Sequence, residues 1–284
     1  MAERYHYLIG GLPDLFSPDQ AAQRDLQRIQ SEILELLEPE DRARFNYLLY
    51  RNDNKNLLRL IRDRQGIQDD SNISFHRPAA FTHQDLEEGI LGIFELPDYM
   101  REFLEETDIQ KPLTLETENR LIELYYQEAI ANSGEFLSGY FEHKRDIKNI
   151  VIAINAKRDG KDVSQVLVGD TDLNRQIAVS NQADFGLSRI YPFIPEIREL
   201  IEHRHLNDLE KKIDSLILDY IETHSEGHIF DEVAVFAYFL ELSLSHRWLD
   251  RSAEEGRERL KEIVRKVLSN SVLPEQVSAE ELAL

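Results

Sequence analysis

One polar pattern occurs twice inside otherwise aliphatic helical segments, and it limits what this chain can fold into. The first copy reads Asp53-Asn54-Lys55-Asn56-Leu57-Leu58-Arg59-Leu60-Ile61-Arg62. The second reads Asp146-Ile147-Lys148-Asn149-Ile150-Val151-Ile152-Ala153-Ile154-Asn155-Ala156-Lys157. Each has Asp, Asn three residues on, an aliphatic stretch and a closing basic residue, Arg62 or Lys157. The step from Asp53 to Asp146 is 93 residues, close to a third of the 284-residue chain. Such spacing predicts a large internal duplication and a scaffold of related helical bundles, not a catalytic loop.

Residues three apart on a helix share a face, so Asp53 neighbours Asn56 and Asp146 neighbours Asn149. Set beside aliphatic runs, these groups are expected to be half-buried and to need hydrogen-bond partners. The expected partners are backbone groups at the end of an adjoining helix, or the basic side chains Arg62 and Lys157. An interhelix network of this kind fixes register; the alternative is a binding role where two subunits meet. No base or nucleophile accompanies the motif, so it carries no catalytic expectation.

Helix punctuation is clear along the rest of the chain. Ser17-Pro18-Asp19-Gln20 and Ser252-Ala253-Glu254-Glu255 read as capping boxes. Pro39 restarts the chain, and a long helix is expected to run to about Arg64 and stop at Gly66. Residues 66–82 read as a loop, Thr82 opens a short helix, and Pro97 stands near the start of another. Helices are expected over 115–131, 135–158, 173–179, 193–203, 208–222 and 230–249, with Gly134 and Asp159-Gly160 as breaks. Three bundles of similar length follow, 1–95, 96–190 and 191–284. The third is diverged: a further step of 93 from Asp146 lands on Phe239, with Glu241 and Arg247 as candidate remnants and Leu244 in the place of the Asn.

Composition narrows function by exclusion. Only 12 Gly and 9 Pro leave little room for a turn-rich β protein. The formal net charge of −21 repels free nucleic acid and anionic membrane surfaces at long range, and suits a basic protein partner. No cysteine is present, which excludes disulfides and thiolate chemistry and fits a reducing cytoplasm. The apolar run in residues 1–10 is too short for a signal peptide, and no stretch approaches the roughly 20 apolar residues of a membrane span. Direct insertion in a membrane is therefore not expected.

Chemistry-bearing motifs are incomplete. Gly10-Gly11 lacks the Gly-Lys-Ser/Thr ending of a phosphate loop. Asp184-Phe185-Gly186 spells a kinase tripeptide without its companion motifs. Glu202-x-x-His205 is half of a di-iron helix motif. His224, His228 and Asp231 have weak metal-ligand spacing. Trp248 reads as a helix-end anchor, and Tyr47, Tyr50, Tyr125, Tyr126, Tyr140 and Phe141 as core. No cofactor and no metal is expected.

Seven segments together carry a family resemblance. They are Tyr5-His6-Tyr7-Leu8-Ile9-Gly10-Gly11-Leu12-Pro13-Asp14, the two Asp-x-x-Asn segments, Gly169-Asp170, Asp184-Phe185-Gly186-Leu187-Ser188, Glu210-Lys211-Lys212-Ile213-Asp214 and Arg247-Trp248-Leu249-Asp250. Through them the chain resembles a bacterial family related to the C/d subunit of V-type ATPases, known as C in archaeal and bacterial enzymes and as d in eukaryotic ones. The resemblance implies an all-α, funnel-like protein of two to three related helical bundles, without catalysis of its own. It implies a place on the cytoplasmic face of the inner membrane, held there by a membrane complex. The rotor shaft and membrane-ring subunits are the implied partners, with torque passed between ATPase head and ion-carrying ring. Two departures are visible: the chain is shorter than typical C/d proteins, and its last third lacks the Asp-x-x-Asn signature. A helical adaptor outside any ATPase and a metal-dependent carboxylate enzyme are the competing expectations.

Overall fold

A computed structural model describes residues 2–12, 25–67 and 75–249. Among the described residues there are eleven α-helices, one short 3-10 turn and no strand, so the all-α expectation holds. The helices are α1 (Ala2–Gly11), α2 (Leu26–Leu36), α3 (Pro39–Arg64), α4 (His83–Ile90), α5 (Asp98–Glu106), α6 (Leu115–Asn132), α7 (Glu135–Arg158), α8 (Asp172–Val179), α9 (Ile194–Glu202), α10 (Leu206–Ser225) and α11 (Glu232–Leu249). Both capping boxes, at Ser17 and Ser252, lie outside the described residues, as does the side chain of Trp248.

The duplication extends well beyond the motif. A long helix, two short ones and another long one occur in that order as α3 to α6 and again as α7 to α10. Their packing repeats too. α3 meets α4 as α7 meets α8, α5 meets α6 as α9 meets α10, and α3 meets α6 as α7 meets α10. α11 then folds back on α10 as α7 folds back on α6, beginning a third round. Leu242, not Leu244, is the residue a step of 93 reaches from Asn149; it is fully buried, and no amide stands there. The cut expected at 95 falls between α4 and α5, and the main core runs across it without a break.

Local chemistry explains why the two long helices end alike. In α3, Pro39 stands in the first turn with its φ already helical, and Glu40 and Asp41 at that end and Arg62 and Arg64 in the last turn complement the helix dipole. Its exit has paired backbone bonds, Ile67 N–H to Arg62 C=O and Gly66 N–H to Asp63 C=O, with Gly66 at φ +74°. α7 exits the same way, through Lys161 to Ala156 and Gly160 to Lys157, with Gly160 at φ +66°. A side chain at either glycine would strain this left-handed turn. The short helices that follow are each opened by a threonine: Thr82 accepts from Asp85 N–H and Thr171 from Asn174 N–H.

α7 is the helix through which the fold is joined. It buries Ile147 in the larger core, which gathers residues of α1 to α7, α10 and α11. It buries Ile150, Ala153 and Ile154 in a second core shared with α8, α9 and α10. Each large aliphatic side chain so buried contributes roughly 1.5–3 kcal/mol. No helix among the described residues is long and apolar enough to cross a membrane.

Candidate functional site

The two amides of the repeated motif make the same contact. Asn56 donates through Nδ2 to the His76 carbonyl (3.0 Å) and accepts at Oδ1 from the His76 N–H (2.7 Å). Asn149 donates to the Val168 carbonyl and accepts from the Val168 N–H, both at 2.9 Å. Each Asn thus clamps one residue's backbone in the connection that returns to its own helix, 20 and 19 residues downstream. An amide is the side chain that satisfies a buried N–H and C=O of one residue together.

The acids diverge. Asp53 accepts from Ala80 N–H (2.9 Å) and Phe81 N–H (3.2 Å), holding the same connection that Asn56 clamps. Burial pushes its carboxyl up to about 7, with the two N–H donors pulling the other way. Asp146 accepts from the Tyr191 hydroxyl (2.7 Å) and lies beside Arg145. It leaves the 168 connection to Asn149 and to Asn174, whose Nδ2 also reaches the Val168 carbonyl.

The basic residues are not partners of the motif, contrary to one of the two expectations. Arg62 forms an ion pair with Glu118, tying α3 to α6. Lys157 donates to the Gln182 carbonyl (2.6 Å) and lies over the Phe185 ring. The polar signature therefore pins connections to helices, and the basic ends tie each long helix to a different neighbour.

The histidines are engaged locally. His228 bonds Asp231 (2.6 Å), His224 bonds the Tyr220 carbonyl (2.8 Å), and Glu202 pairs with Arg198. Among the described residues no group of three or more His, Asp or Glu is placed to hold a metal ion. Glu241, a candidate remnant of the third copy, is buried and pushed up to about 7 by that burial and by Glu222. Arg247, the other candidate, pairs with the buried Asp214 of α10.

A second face of the same helices carries residues outside the expected polar motif. Arg51 and Lys55 stand four apart on α3, and Lys144 and Lys148 stand four apart on α7. The same step of 93 relates Arg51 to Lys144 and Lys55 to Lys148. These four side chains, with Arg247, line one cavity of about 430 Å³. The signal stands in the repeated segment, where a basic residue precedes Asp by two and Lys follows it by two in both copies.

The fold defines an all-α class of protein, a helix repeat with clamped connections. Within that class, the chain belongs to the family described as Protein of unknown function (DUF2764), whose family model matches residues 1–271. No curated protein and no solved structure matches it.

Proposed function

We propose that this chain is a non-catalytic coupling component of a V-type ATPase, set between rotor shaft and membrane ring on the cytoplasmic face. The observation that carries this reading is the repeated unit itself. Two successive copies of long, short, short and long helix each have their returning connection fixed by a buried amide. A connection fixed at its peptide groups transmits force instead of yielding, because close-packed helices deform little. A funnel of such units around the shaft is the arrangement the proposal requires. The excess of acidic groups complements a basic partner surface and speeds docking to it.

The test is purification of the tagged chain at native level from mildly solubilised membranes of its own cells. Ring and shaft subunits of a V-type ATPase are expected in the same particle by mass spectrometry. Recovery with unrelated soluble proteins and no ATPase subunit would refute the proposal and favour the adaptor alternative.

A further inference from the structure

The duplicated helices place four basic side chains around one cavity without a carboxylate between them. Arg51 and Lys55 enter the cavity from α3, and Lys144 and Lys148 from the equivalent positions of α7. Arg247 joins them from α11, but its charge is met by Asp214. Lys144 donates to the Tyr140 hydroxyl (2.9 Å), which is neutral. Among the described residues no carboxylate pairs with Arg51, Lys55, Lys144 or Lys148.

That arrangement is unfavourable as it stands. Burial, and then the charge of Arg51, hold Lys148 down at about 8, and both also lower Lys55 and Lys144. Burial and Arg51 bring even Arg247 down to about 10. Arg51 and Lys55 are exposed at the cavity while Lys144 and Lys148 are half-buried, and basic groups gathered in this way are favoured in their charged form when an anion joins them. Such a cluster in a chain of net charge −21 is the reverse of its surroundings. The remaining walls are mainly apolar, formed by side chains such as Leu58, Tyr126 and Val151.

We propose that this cavity binds an organic phosphate: its phosphate oxygens lie between the paired cations of α3 and α7, and its apolar body rests on the wall around Leu58, Tyr126 and Val151. Arginine supplies a planar two-donor fork for phosphate and lysine a compact charge, and both kinds are present in the cluster. A nucleotide and a monoacyl phospholipid share this chemistry. The site is independent of the ATPase reading, since it rests on the cavity and not on the partners.

Binding draws protons onto the lysines. Lys148 shares the cavity with Arg51 and Lys55 from α3, Tyr125 and Tyr126 from α6, Lys144 from its own helix, and Arg247 from α11, which is paired with Asp214 of α10. With a free value near 8, Lys148 is charged at pH 7 and neutral by about pH 9.5. Affinity therefore falls as pH rises across that window.

The experiment is titration of the full chain by calorimetry with ADP, ATP, lysophosphatidic acid below its micelle concentration, and pyrophosphate, beside adenosine and monoacylglycerol as uncharged controls. At least one organic phosphate is expected to bind saturably and raise the melting temperature, and the uncharged controls are expected not to bind. The nucleotide and lipid arms identify the source. Lys148→Gln and Arg51→Gln each weaken binding about tenfold to a hundredfold. Neither lowers the melting temperature of the free chain, because each removes a repelling charge. Lys148→Arg restores binding and flattens its fall between about pH 7 and 9.5. Saturable binding by none of the organic phosphates, or binding unchanged in both Gln variants, would overturn the assignment.

Discussion

Replacing Asn149 by alanine is expected to destabilise the chain by about 3 kcal/mol, roughly 5–10 °C in melting temperature. Asn149 and Val168 are both essentially without solvent contact. The variant leaves the Val168 N–H with no acceptor and its carbonyl with the single bond from Asn174. A buried polar group left unmatched costs about 1–3 kcal/mol, and the missing amide leaves a void besides. The same change at Asn56 is expected to cost only about 1 kcal/mol. His76 is half-exposed, so water can replace the lost amide there. Urea unfolding of the two variants measures this difference. Equal losses at both positions would mean that burial of the connection does not govern the strength of the clamp.

Phe45→Ala is expected to cost about 3–5 kcal/mol, the range for emptying an aromatic core site. Phe45 is fully buried on α3, and its ring meets Phe239 at 4.7 Å between centroids and Phe236 at 6.0 Å. Both partners belong to α11, so this contact joins the first repeat to the helix that begins the third. α11 is also packed against α1 and α2, which brings the two described ends of the chain into one core. Phe45→Leu keeps most of the volume and is expected to cost roughly half as much. A loss under about 1 kcal/mol for the alanine variant would show that α11 does not close on α3 as described.

The helices were legible because their boundaries are chemical. Gly134 and Asp159-Gly160 bracket α7, whose expected ends at 135 and 158 are the observed ones. Thr82, Pro39 and Gly66 likewise mark helix ends through capping, a fixed φ and a left-handed turn. The recurrence of Asp-x-x-Asn at a step of 93 also pointed to related surroundings for the two amides. Their partners were less legible. Peptide groups of His76 and Val168 accept and donate regardless of side chain, so nothing in the sequence marks them. Arg62 and Lys157 are charged neighbours of the motif in sequence, yet each reaches away from it to another segment. Asp146 turns to Tyr191, 45 residues on, a contact set by how the segment before α9 approaches α7 and not by local spacing. The facing cations were encoded in the repeat, but recognising them required knowing that α3 and α7 present equivalent sides to one cavity. Arg247 has no counterpart at the repeat spacing; only folding brings it there.

Hydrogen exchange resolved at single amides probes the clamped connections themselves. If each returning connection is held as firmly as its helix, the Val168 N–H exchanges in the wild-type chain as slowly as the interior of α7. In Asn149→Ala it accelerates by roughly two orders of magnitude, as about 3 kcal/mol of lost protection requires, while the 76–82 connection is unchanged. Rapid exchange at Val168 in the wild-type chain would contradict the account, since a connection that opens freely cannot be part of a stiff coupler.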